Sequence, residues 1–152
     1  MFSRGGGECG NVTEIRKFQW DEALRVGVES VDVQHQFFFS IVNQLADALR
    51  NGTGKEVVEE ILSLLSLYSK WHFWREEECM ARFQCPVAGI NLEAHRVFLT
   101  KLASLQEQYA QSGGSHELAL SIYEELGVWL VNHIMKIDSE LSRVGKAPQS
   151  AS

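Results

Sequence analysis

The chain has 152 residues, enough for one domain with a substantial buried core, and only two prolines, which favours long helices over a turn-rich β protein. Its net charge of −6, with acidic and basic residues interspersed, offers no basic face for the phosphates of nucleic acid. No apolar run reaches the ~20 residues of a membrane span, the opening MFSRGGGECG lacks the hydrophobic stretch of a secretory signal, and three cysteines (Cys9, Cys79, Cys85) in no metal-finger spacing suit a reducing interior, so a cytoplasmic protein is expected.

Residues 1–12 are glycine-rich and polar and read as a mobile tail. Residues 13–29 carry Phe18, Trp20, Leu24, Val26 and Val28 without sustained helical spacing, which reads as an ordered arm laid across the rest. A first helix is predicted from about Ser30 to Arg50, with Val31, His35, Phe38, Val42, Leu45 and Leu49 alternating four and three apart, stopped by Asn51-Gly52. A second opens with Thr53 and Glu56 as a capping box and buries Val57, Ile61, Leu64, Tyr68, His72 and Glu76, with Cys85-Pro86 and Gly89 beyond it. A third starts near Ile90 and carries His95, Phe98, Leu102, Leu105 and Tyr109 to Ser112-Gly113-Gly114. A fourth begins near Ser115, runs through Leu118, Ile122, Leu126, Trp129, Leu130, His133 and Ile137, and fades after Leu141, leaving residues 146–152 as a frayed end. Four such helices with short connections imply an all-α, up-down-up-down antiparallel four-helix bundle over residues 13–145, with the N-terminal arm against it.

Of the five histidines, His35, His72, His95 and His133 each fall in register with the buried stripe of a different helix. Any one alone reads most simply as a core histidine bonded to a polar neighbour, because a buried imidazole must satisfy both ring nitrogens. Four together, with carboxylates at Glu76 and Asp138, point instead to an internal metal site. His72 and Glu76 are four apart and share a helix face. His133 and Asp138 are five apart, an offset of roughly 140° on an α-helix, which is awkward for one ligand point but workable if the carboxylate reaches a second ion. Imidazoles and carboxylates without a thiolate in register suit iron, zinc or manganese, and bundle cores are where dinuclear carboxylate-bridged sites are built.

The segment from Trp20 to Val33 followed by Gln34-His35, the stretch His72-Phe73-Trp74-Arg75-Glu76-Glu77, the run His95-Arg96-Val97-Phe98, and Trp129-Leu130-Val131-Asn132-His133-Ile134 closing at Asp138 together resemble the hemerythrin family over roughly residues 18–142. The resemblance implies a non-haem di-iron protein that binds O2 reversibly. It further implies that Glu76, Asp138 and a solvent-derived oxygen bridge the two irons, and that His35 and His72 hold one iron with an open position for O2. The other iron would be held by His95, His133 and a third histidine four residues before His95, where this chain has Asn91. Similarity to the family also suggests an O2 pocket lined by Phe38, Trp129, Leu130 and Ile134, although aromatics at helical spacing are usually plain core.

Asn91 admits three readings: the N-cap of the third helix, a hydrogen-bond partner of a metal-bound water, or a weak neutral ligand through its amide oxygen. Cys79 reads as a core or half-exposed thiol rather than a ligand, Glu77 and Glu78 as the solvated side of their helix, and His116 as an exposed residue of the first turn of the last helix. The function expected is a carrier, store or sensor of O2, not an enzyme, acting as a monomer. A di-iron peroxidase and a metal-binding bundle without O2 chemistry are the alternatives.

Overall fold

The computed structural model describes residues 15–144. The expected tail at residues 1–12 and the frayed end at 146–152 lie outside the described residues.

Four long helices form the body: α1 (Glu29–Arg50), α2 (Lys55–Arg82), α3 (Ala88–Gln111) and α4 (His116–His133). Four or five residues join each to the next, too few to do anything but reverse the chain, so successive helices run antiparallel. Helix α1 packs against α2 and α4, and α3 against α2 and α4, closing the bundle around one core. Beyond α4 the chain continues through a π turn (Ile134–Asp138) into a short α5 (Glu140–Val144). Among the described residues, no helix is long and apolar enough to cross a membrane.

The apolar stripes of α1 and α3 are the predicted ones. That of α2 is shifted: Val57 and Leu64 lie on the outer face, and Val58, Ile61, Leu62, Leu65 and Ser69 lead to His72, Phe73 and Glu76. Apolar residues stand side by side at Val57-Val58 and Leu64-Leu65, so two registers fit the pattern, and packing against α1 and α3 selects one.

The expected Thr53–Glu56 capping box does not form; α2 starts after Gly54 with no side-chain cap. Thr53 instead closes the end of α1, its N–H donating to Ala48 C=O at 3.0 Å while Gly52 takes the left-handed conformation (φ 58°). This six-to-one bond is a Schellman ending, which claims the residue that would otherwise have capped the next helix. Helix α2 ends the same way, Cys85 N–H donating to Met80 C=O at 2.8 Å, but there the left-handed position is filled by Gln84 (φ 53°). The predicted start of α4 holds: Ser115 Oγ accepts from Leu118 N–H at 3.1 Å.

The arm is ordered and fastened at intervals. Asn43 of α1 brackets Phe18, accepting from its N–H (2.9 Å) and donating to its C=O (2.7 Å). Tyr123 Oη donates to Arg16 C=O (2.6 Å), and Trp20 meets Phe39 edge-on. Gly127 in mid-α4 costs roughly 1 kcal/mol of helix propensity, yet a Cβ there would overlap the Phe18 ring. The missing side chain is the seat of the arm. Where the arm enters α1, the buried Asp32 carboxylate accepts from Val26 N–H (2.7 Å) and Gly27 N–H (3.2 Å).

Candidate metal centre

Because the helices alternate in direction, His35 near the start of α1, His72 in the latter part of α2, His95 near the start of α3 and His133 at the end of α4 meet at one end of the bundle. All four imidazoles are buried with Nε2 turned inward on two carboxylates, Glu76 and Asp138, that are themselves buried. The arrangement is a pair of halves. Glu76 Oε2 lies 3.0 Å from His35 Nε2 and 3.4 Å from His72 Nε2, while Glu76 Oε1 lies 3.1 Å from His95 Nε2 and 3.9 Å from His133 Nε2. Asp138 divides likewise, with Oδ2 3.3 Å from His35 Nε2 and Oδ1 3.2 Å from His133 Nε2. Each carboxylate thus offers one oxygen to each half.

The five-residue spacing of His133 and Asp138 is resolved by the π turn. Ser139 N–H donates to Ile134 C=O at 2.9 Å, a bond spanning five residues. The widened turn takes up the residue that an α-helix would have used to carry Asp138 away from His133.

The outer ring nitrogens are held by residues that sequence reasoning passed over. His72 Nδ1 donates to Gln34 Oε1 at 2.8 Å, and Tyr68, stacked on His72, donates its hydroxyl to Gln34 C=O at 2.9 Å. His95 Nδ1 donates to Glu77 Oε1 at 2.9 Å, so Glu77 is not on the solvated side as expected; its side chain is only 28% exposed. Such partners fix which nitrogen faces the metal and raise its basicity. A signal existed for Gln34, an amide next to a seam histidine and one turn before Phe38. For Glu77 there was none, since it adjoins Glu76 on a charged stretch.

Phe38, Phe73, Phe98 and Trp129 form a continuous aromatic layer against the imidazoles. Phe73 stacks on His95 (3.8 Å between centroids) and Trp129 on His133 (4.5 Å), Phe98 lies tilted against Trp129 (4.2 Å), and Phe38 stands edge-on to His72 (6.0 Å). Leu130 and Ile134 are buried in the same core. Of the four expected pocket residues, Phe38 therefore meets the His72 half and Trp129 the His133 half, with Phe73, absent from that set, between them. Cys79 is half-buried and His116 exposed.

Asn91 does not cap α3. The helix begins three residues earlier at Ala88, and Asn91 N–H is already bonded to Val87 C=O at 2.8 Å. Its side chain is wholly buried and its Oδ1 lies 2.8 Å from His133 Nε2.

The electrostatics are those of a cation site. Burial would raise the Glu76 carboxyl, but the surrounding imidazoles, His133 foremost, hold it well below the ordinary carboxylate range. Burial would lower His35 and His133, but Asp138 and then Glu76 override it and push both up to about 9. His72 is lowered, because burial outweighs its contact with Glu76. Glu76 Oε1, Asp138 Oδ1 and His35 Nδ1 remain buried without a hydrogen bond of acceptable geometry, and His95 Nε2 faces His133 Nε2 at 3.0 Å. Two buried carboxylates with unsatisfied oxygens and imidazole nitrogens turned on one another fit a metal cation held among them. Two groups that could hold a metal ion emerge, Glu76 with His95, His133 and Asp138, and His35 with His72 and Glu76.

The family model of the hemerythrin HHE cation binding domain matches residues 26–144. A bacteriohemerythrin of Stenotrophomonas maltophilia is 27% identical over 131 residues, covering 84% of this chain and 81% of that protein. One of Pseudomonas aeruginosa is 25% identical over 120 residues (79% and 76%), and a hemerythrin-like protein of Naegleria gruberi is 27% identical over 127 residues (84% and 92%). The matched span takes in the whole bundle and every residue of the cluster, and the chain belongs to the hemerythrin family.

Proposed function

We infer that this protein holds two iron ions at the cluster and through them binds dioxygen reversibly, as a carrier, store or sensor acting as a cytoplasmic monomer. One observation carries the reading: Glu76 presents one oxygen to His35 and His72 and the other to His95 and His133, and Asp138 presents one oxygen to His35 and the other to His133. Two ferrous ions held by these residues would supply the two electrons that dioxygen takes up on binding and returns on release. The chain's own contribution is to fix the ions, exclude water and keep protons away. Glu76 and Asp138 neutralise charge between the halves, while Gln34 and Glu77 hold His72 and His95 with Nε2 inward. Phe38, Phe73, Phe98, Leu130 and Ile134, all buried, keep bulk water from the imidazoles, as a reversible rather than hydrolytic site requires. The unbridged thiols of Cys79 and Cys85 accord with a reducing compartment.

Anaerobic reconstitution of metal-free protein with Fe(II), followed by admission of O2, tests this. Two irons per chain and a visible band that appears with O2 and vanishes on purging are expected. A colourless protein that retains only zinc would sink the reading. One observation, an amide rather than a third imidazole at Asn91, favours a second reading as a di-iron peroxidase; sustained turnover of peroxide would establish that reading in place of carriage.

A further inference from the structure

The two halves of the cluster do not offer the same donors. Toward one ion stand His35 Nε2, His72 Nε2, Glu76 Oε2 and an oxygen of Asp138, Oδ2, seen near His35. Toward the other stand His95 Nε2, His133 Nε2, Glu76 Oε1 and Asp138 Oδ1, and in addition Asn91 Oδ1, 2.8 Å from His133 Nε2. Asn91 sits one helical turn before His95, so both side chains leave α3 on the same face. Its carboxamide is wholly buried, the oxygen turned to the cluster, and its Nδ2 has no hydrogen-bond partner. A buried amide left half-satisfied costs free energy, so its oxygen needs a partner stronger than one imidazole N–H to hold this orientation. A divalent cation shared with His95 and His133 is such a partner.

We propose that Asn91 Oδ1 is a metal donor, making the His95/His133 position an oxygen-rich one that accepts Mn(II) as well as Fe(II), while the His35/His72 position stays selective for iron. Imidazole donors favour the later divalent metals, and carbonyl and carboxylate oxygens suit harder ions such as manganese. With three oxygens to two nitrogens, the Asn91 half discriminates least between the two. The proposal rests on the two-ion reading above and gives the site a mixed-metal form.

The test is metal partition. Metal-free protein is loaded anaerobically with Fe(II) and Mn(II) in equal amounts, desalted, and analysed for both metals, with electron paramagnetic resonance of the bound manganese. The wild type is expected to keep a substantial fraction of one manganese per chain, with iron in the rest of that position and throughout the other. Asn91→His should lower bound manganese about 10-fold, as a nitrogen replaces the oxygen. Asn91→Asp, which keeps an oxygen in nearly the same shape, should retain it, and Asn91→Ala should lose metal from this position alone. Circular dichroism of the metal-free variants confirms that each is folded. Equal manganese in wild type, Asn91→His and Asn91→Ala overturns the proposal while leaving a di-iron site intact, because the same protein loaded with Fe(II) alone would still hold two irons. Failure of the wild type to retain either metal overturns the two-ion reading and this proposal with it.

Discussion

The His35/His72 half and the His95/His133 half of the cluster are built from the same carboxylates but supported differently from outside. His72 is backed by the neutral side-chain amide of Gln34, whose backbone C=O accepts from the Tyr68 hydroxyl, between α1 and α2. His95 is backed by the carboxylate of Glu77, which is partly open to solvent. An imidazole that donates to a carboxylate is a more basic ligand than one that donates to an amide. The anionic support therefore falls on the half that carries Asn91, where the neutral amide makes the weaker contribution. Donor strength in this molecule is set in pairs, an inner residue together with the residue behind it.

The most severe way to break the comparison is to remove what both halves share. Glu76→Gln should weaken both positions by more than about 100-fold, beyond the upper end of what an outer partner supplies. Metal analysis after desalting should find neither ion, and retention of even one at wild-type level would show that the halves do not depend on a common carboxylate. A milder change makes the two supports alike. Glu77→Gln should lower retention at the His95/His133 position about 10-fold and leave the other unchanged, as read by chelator competition; an equal loss at both would mean that Glu77 acts on the cluster as a whole. The smallest effect belongs to the metal-free protein. His35 and His133, one in each half, have folded pKa values near 9 against an unfolded value of 6.5. Their contribution to stability is full below pH 6.5 and is lost as pH rises through 9, whereas that of Glu76, whose pKa is lowered, is lost only in acid. The melting temperature of chelator-treated protein should fall by on the order of 10 °C between pH 6.5 and 9.5. His133→Gln should remove about half of that fall, and a flat profile would contradict the charged pairing in both halves.

The inner residues could be read from the chain because burial and function coincide there: His35, His72, Glu76, His95 and His133 all lie on stripes whose spacing already specified the bundle. Asp138 was the least legible of the set, since α-helical geometry turns it away from His133 and no local pattern announces a π turn. The outer supports were hidden for a different reason. Gln34 and Glu77 lie beside the stripe rather than on it, and whether such a residue meets solvent or a ring nitrogen depends on how neighbouring helices are rotated. The same rotation decided between Val57 and Val58 on α2. At Asn91 and Thr53 a preferred capping residue stood close to a helix start, and in each case another role had claimed it, a place inside the cluster for one and the closing of α1 for the other.

The π turn after His133 has a further meaning as a matter of chain length. Over Ile134–Asp138 the backbone carries one residue more than a plain helix of the same rise would hold, and the surplus is spent in bringing Asp138 under His133 while Leu141 still reaches the core. Length between these two residues is consequently a quantity the cluster reads to a single residue. Side chains such as Met135 and Lys136, which face outward there, are free to vary in chemistry but not in number. A deletion that would be silent in an exposed helix would here turn the second carboxylate out of the cluster.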